Sequence, residues 1–213
     1  VADVEVYTPM EGKGETQLTL SSKDKIIFKK PNKLKIDSVI QDPGGSLDGK
    51  QVTIIRDGVQ RWMYVSAGQY PVKKGPDEPY ATLNLPPNIQ IYPQESDRTF
   101  KVMGKEKIKN VDAIKIEITD ESTKEVQIIY VDPIKKVPLK MEIVTIDPKN
   151  PEKKETRECY YKDFKKLKDG RWFPFVIEMK QEGKATRMVV YKALSVNVGI
   201  DEHLFEPMKK FVK

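Results

Sequence analysis

The sequence predicts a mainly β fold, an antiparallel sheet with few helices, and three observations carry that expectation. Apolar residues recur at every second position in Leu34/Ile36, Ile114/Ile116/Ile118, Val126/Ile128/Tyr130, Leu139/Met141/Ile143 and Phe173/Phe175/Ile177/Met179. That spacing places each set on one face of a strand. The intervening positions often hold Lys, Glu, Asp or Thr, the pattern of a sheet with one face covered and one wet. Turn-forming pairs separate the runs, and the 3.6-residue period of a helix is scarce.

In chain order, the first clear elements are strands around Leu34/Ile36 and from Val52 to Val65, the latter broken by Asp57-Gly58, a hairpin pair. Gly44-Gly-Ser-Leu-Asp-Gly-Lys50 has the glycine and lysine spacing of a phosphate loop, but Gln51 follows where Ser or Thr is needed. The next residues, QVTIIRDG, read as a strand, whereas a phosphate loop must open a helix whose amides meet the anion. A glycine-rich turn is expected there. Between Pro71 and Pro93 lie six of the 15 prolines, which forbid a regular helix and mark an excursion or flap over 71–95. Further strands follow, with Asp132-Pro133, Asp147-Pro148, Asp169-Gly170 and Glu182-Gly183 as turns. Pro174 lies inside the last apolar row, which calls for an edge strand, a bulge or a bend, because proline has no N–H for the ladder. From Ile200 onward Pro207 leaves room for a short helix at most.

Length and charge restrict the function. The 213 residues suit one large β-rich domain, and no run approaches the roughly 20 apolar residues of a bilayer-spanning helix. The chain starts at Val1, as after removal of a signal peptide or after trimming of a longer chain. Net charge is +6, concentrated between Lys23 and Lys35, where six lysines face Asp24 alone. Such a run is a solvated face or a docking patch for anionic headgroups or an acidic partner. No aromatic residues interleave with it as a nucleic-acid stacking platform would require. A single histidine, His203, leaves a Ser-His-Asp hydrolase little to rest on. With one cysteine, Cys159, no internal disulfide and no structural zinc site can be assembled. No catalytic residue, metal or cofactor is expected, and Cys159 reads as an inert packed thiol.

Several segments, taken in order, resemble the LolA/LolB-like superfamily of outer-membrane lipoprotein carriers and lipoprotein-sorting proteins. They are IIFKKPNKLKID (26–37), VTIIRDGVQRWMYV (52–65), KVMGKEKIKNVDAIKIEI (101–118), YVDPIKKVPLKMEI (130–143), YYKDFKKLKDGRWFPFVIEM (160–179) and NVGIDEHLFEP (197–207). The resemblance implies a single LolA-like domain over 1–213: a strongly curved antiparallel sheet, an unclosed half-barrel whose concave apolar face holds acyl chains. It implies a periplasmic, non-enzymatic carrier or sorting factor, with lipoprotein or lipid acyl chains as ligands, a membrane surface or transporter as partner, and no nucleic acid. An envelope-sensing or protein-binding module on the same half-barrel is the alternative. The contact residues expected are Trp62, Tyr64, Ile114, Ile116, Met141, Phe173, Phe175, Ile177 and Met179, with Lys29, Lys30, Lys33 and Lys35 for partner or headgroup docking. The family's lid helices have their nearest counterpart in the proline-rich stretch. Its frequent arginine before the proline matches Lys30, which keeps the charge but not the bidentate fork.

Overall fold

Antiparallel strands account for nearly all of the regular structure. The computed structural model describes residues 1–9, 17–29, 33–58, 60–66, 75–76, 98–120, 126–147 and 150–208. The strands are β1 (Ala2–Pro9), β2 (Leu18–Lys29), β3 (Lys33–Ile40), β4 (Gln51–Arg56), β5 (Gln60–Val65), β6 (Gly75–Pro76), β7 (Arg98–Ile108), β8 (Val111–Asp120), β9 (Val126–Asp132), β10 (Val137–Asp147), β11 (Asn150–Lys166), β12 (Trp172–Gln181) and β13 (Lys184–Leu194). Among the described residues there is no α-helix, and one 3-10 helix spans Glu202–Phe205. The hydrogen-bonded order is β6-β5-β4-β3-β2-β1-β13-β12-β11-β10-β9-β8-β7, a sheet that does not close into a barrel. Successive strands are neighbours throughout except β6 and β7, which are the two ends of the order. The proline-rich flap expected over 71–95 lies outside the described residues, apart from the two of β6.

Turn chemistry explains the hairpins. Glu182 and Gly183 both have positive φ (51° and 77°), the requirement of a two-residue turn whose twist matches its strands. At Asp169-Gly170 only Gly170 is left-handed, because this turn is longer, with Leu167 N–H bonded to the Arg171 carbonyl at 2.7 Å. Asp132 Oδ1 accepts from the amides of Ile134 and Lys135 at 2.8 and 3.0 Å, which fixes the β9–β10 connection. The glycine-rich stretch after β3 is a turn leading into strand β4, as expected.

The chain packs as two compact units. One comprises Val1–Thr8, Thr19–Asn84 and Val189–Lys213, and the other Pro9–Leu18 and Leu85–Met188. In the first, the cross-strand register sets Ile27 opposite Lys35, Lys35 opposite Ile55 and Ile55 opposite Trp62, so these residues share a face. The C-terminal segment lies on that face. Phe205 joins Ile27, Ile55 and Tyr64 in a buried cluster, with Val1, Trp62, Ile200 and Met208 packed around it. Polar contacts pin the segment: Tyr64 OH accepts from Met208 N–H at 3.1 Å, and Asp201 caps the 3-10 helix through His203 N–H at 3.0 Å. The Glu202 carboxylate takes the ammonium groups of Lys29 and Lys33, and these two hydrogen bonds hold its pKa down to about 2.

In the second unit, one face of the sheet carries a polar ladder. Lys115, Tyr130, Lys140, Tyr160 and Glu178 stand directly opposite one another across β8 to β12. Lys140 Nζ lies 5.6 Å from the Tyr130 ring centre and 5.3 Å from that of Tyr160, and it meets Glu142 and Glu158 at 2.6 Å each. Its side chain is only 14% exposed. Burial alone would push the ammonium's pKa down, but the two carboxylates override that and hold it above the usual lysine range. Lys162 pairs with Glu178, and Lys115 with Glu106 at 3.0 Å. Lysine stems lie along the tyrosine faces and the charged ends meet, so long polar side chains cover this face. Val126, Ile128 and Tyr130 lie on this side, because β9 is apolar at both parities and its partners decide its orientation.

Pro174 is buried, and β12 runs between β11 and β13, so an edge position is ruled out. The β11–β12 ladder pairs Lys162 with Val176 and Phe164 with Pro174, but omits Asp163 and Phe175 between them. Asp163 has φ 50°, a left-handed conformation that interrupts the strand where proline supplies no donor.

Two outcomes follow from these contacts. Lys140→Met leaves Glu142 and Glu158, opposite each other in the register, without their shared cation. The loss should be about 3 kcal/mol in urea unfolding at pH 7. Hydrogen bonding to Lys140 is the main cause that lowers the pKa of Glu158 in the folded protein. Its contribution is therefore full above the unfolded value near 4.5 and disappears as pH falls through the folded value, so the gap between wild type and variant should close on acidification. Phe205→Ala should cost about 3 kcal/mol by the same measurement, because the tail then leaves a cavity over Ile27, Ile55 and Tyr64.

Candidate ligand-binding face

The opposite face of the second unit is apolar, and register arithmetic assembles it. In an antiparallel ladder, directly opposed residues share a face. Val102 opposes Ile116, Ile116 opposes Ile129, Ile129 opposes Met141, Met141 opposes Cys159, and Cys159 opposes Met179. One unbroken apolar row therefore crosses β7 to β12. Alongside it, Ile114 faces Val131 and Tyr161 faces Ile177. On β12, Phe175 and Phe173 extend the same side, their rings edge to face with centres 5.9 Å apart. On the other flank the stripe ends, because the next row runs Phe100, Ile118, Gln127, Ile143, Arg157 and Gln181.

Exposure varies along the row. Met141 and Ile177 at its centre are 1% exposed, and Phe173 and Tyr161 are also buried. Ile114, Ile116, Phe175 and Met179 are half-buried. At the β7 end Phe100 and Val102 are 65% and 69% exposed. Long apolar side chains left open at a sheet's last strand are a liability unless something covers them.

Two irregularities tune the row. The β7–β8 register shifts between Val102 and Gly104, where Gly104 has φ 116°. The β9–β10 register shifts between Pro138 and Lys140. Each bulge adds twist locally and changes which side chains face the row beyond it.

The chemistry of the face is that of hydrocarbon contact. Cys159 is the one titratable side chain in the central row, and burial pushes its thiol up to about 11, so it stays protonated and unreactive at neutral pH. Lys165 sits at the rim with its ammonium 4.3 Å from the Phe175 ring centre. Among the described residues no cluster of histidine, cysteine or acidic side chains is placed to hold a metal ion.

Of the expected contact residues, Ile114, Ile116, Met141, Phe173, Phe175, Ile177 and Met179 share this face. Trp62 and Tyr64 lie in the first unit, where they pack with Ile55 and the C-terminal segment. Of the expected docking lysines, Lys29 and Lys33 are engaged by Glu202, Lys35 pairs with Asp37 at 3.3 Å, and Lys30 lies outside the described residues. Ile129, Val131, Cys159, Tyr161 and Val102 complete the face without having been singled out. In VQIIYVD (126–132) apolar residues occupy both parities, so alternation names no side, and for Cys159 and Tyr161 the signal would have been the hairpin register.

A family model described as "Uncharacterized protein" matches residues 92–209, more than half of the chain. No curated protein matches the sequence. Among solved structures, the chain is similar to a domain described as an outer-membrane lipoprotein-sorting protein from Vibrio parahaemolyticus, with TM-score 0.65 and 17% identity over 96% of this chain and 87% of that one. It is similar to a LolA superfamily protein from Nitrosomonas europaea, with TM-score 0.63 and 14% identity over 99% and 90%. It is also similar to a DUF1329 family protein from Desulfovibrio piger, with TM-score 0.64 and 14% identity over 96% and 88%. The matched stretch covers more than half of the chain, so the chain belongs to the family of that model, and its fold is that of the solved structures described as lipoprotein-sorting, LolA superfamily and DUF1329 proteins.

Proposed function

We propose that the protein is an extracytoplasmic carrier or sorting factor, periplasmic in location and without catalytic activity, that holds the acyl chains of a lipoprotein or lipid against the apolar face of β7–β12. The observation that carries this reading is the unbroken row from Val102 to Met179, open to solvent at the β7 end. Its flexible side chains, Met141, Met179 and the isoleucines, suit an alkyl chain, which asks for contact area and no fixed polar geometry. Each methylene buried contributes about 0.8 kcal/mol, so a 16-carbon chain offers on the order of 10 kcal/mol before ordering costs. That scale is what competition with a membrane requires. The similarity to structures described as lipoprotein-sorting and LolA proteins supports the same reading. A membrane surface or a transporter would supply and receive the cargo.

The test is uptake of an acylated ligand by delipidated protein. A synthetic diacylated lipopeptide should bind and be retained through native mass spectrometry, while the same peptide without acyl chains should not. Ile116→Asn combined with Met179→Asn, both at half-buried positions, should weaken retention at least tenfold with the fold intact by circular dichroism. Failure of the unmodified protein to take up any acylated ligand, or equal retention by the variant, would remove this reading.

A further inference from the structure

A pocket of about 430 Å³ lies within the second unit, between the β7–β8 turn and the strands β10 and β11. Ile108, Val111, Leu139 and Phe164 give it apolar walls, with Lys107 near the end of β7 and Lys109 on the turn. Lys140 and Tyr160 of the polar ladder also line it, as does Tyr161, which faces Ile177, so the pocket touches both faces and meets the apolar one through Tyr161. We propose that this pocket receives the anionic end of an acyl ligand, a carboxylate or phosphate, with Lys107 and Lys109 as its counter-ions. The proposal rests on the acyl-binding reading of that face and adds to it a polarity, namely which end of the ligand lies where.

The electrostatics of the lining support the assignment. Two further lysines border the pocket, but Lys140 is already matched by Glu142 and Glu158, and Lys162 by Glu178. The acid in the lining, Asp163, is paired with Lys165 at 3.3 Å. Lys107 and Lys109 are exposed; Lys107 stands opposite Asp112 in the β7–β8 ladder, and neither ammonium is taken up by the Glu142, Glu158 or Glu178 carboxylates that hold the other two lysines. Two exposed ammonium groups against one facing carboxylate leave a positive excess beside an apolar wall, which attracts a ligand with one anionic end and a hydrocarbon body, and a volume of this size lies in the range of small-molecule sites. Lys109 has φ 53°, a left-handed conformation that glycine or asparagine holds more easily, and its long cationic side chain belongs to a residue that lines the pocket.

The experiment compares 1-decanol, decanoate and decyl phosphate by isothermal titration calorimetry, with the wild-type chain and with a K107Q/K109Q double variant. Both lysines are exposed, and equal urea midpoints will verify that the variant folds. The expected result is that at least one of the two anions binds wild type at least tenfold tighter than decanol. The double variant should lose that margin while its affinity for decanol stays the same. A margin larger for decanoate identifies a free fatty acid as the ligand class, and one larger for decyl phosphate a phospholipid; either supports the proposal. Equal binding of alcohol and anions, or a margin that survives in the variant, overturns the pocket assignment and leaves the acyl-binding face standing. No binding of any of the three, together with failure of lipopeptide uptake, overturns both.

Discussion

The cross-strand register of β7 to β12 is the constraint on which the rest of the second unit depends. Side chains alternate with period two, so a slip of one residue in any ladder would exchange the Lys/Tyr/Glu face for the apolar one. With Met141 opposite both Ile129 and Cys159, and Lys140 opposite both Tyr130 and Tyr160, each face is internally consistent across adjacent strands. A slip would set Lys140 among isoleucines and methionines and strip Glu142 and Glu158 of their cation, with desolvation costs that far exceed any hairpin preference. The two faces therefore specify the register jointly.

A sheet with no α-helix among the described residues must find cover from other sources, and the two units do so differently. In the first, the chain covers its own apolar side: Phe205 seals Ile27, Ile55 and Tyr64, and Glu202 clamps the segment through Lys29 and Lys33. In the second, the polar side covers itself by laying lysine stems over tyrosine rings. The apolar side has a buried centre and an open β7 end at Phe100 and Val102. This difference separates apolar residues that serve as core from apolar residues that a ligand can reach. It also explains why Trp62 and Tyr64, which look the same in sequence as the β12 aromatics, pack under the tail.

Much of this was legible in the residues. Strict alternation in DAIKIEI and WFPFVIEM located β8 and β12 and the facing of Ile114, Ile116, Phe173, Phe175, Ile177 and Met179, because a strand with one apolar parity has only one way to lie. Positive-φ demands marked the turns at Gly58, Gly170 and Gly183. The basic run around Lys29 to Lys35 was visible as charge, but the partners that neutralise most of it were not. Glu202 is 169 positions from Lys33, and no local pattern links them. Pro174 was legible as a break in regular pairing, whereas its place inside the sheet was not, because strand order is a property of the whole ladder.

The sequence by itself determined that the chain makes strands, where they turn and which parity of most of them is apolar, since these follow from side-chain alternation and backbone stereochemistry over a few residues. Only the tertiary structure decided which strands are neighbours, that the row from Val102 to Met179 is continuous, and which face of β9 joins it. The physical reason is that pairing couples residues far apart in the chain. Ile129 is assigned to the apolar side by Ile116 and Met141, and Lys140 is stabilised by Glu158 and the two tyrosines that flank it. Such assignments are made by partners and do not exist until the partners have met.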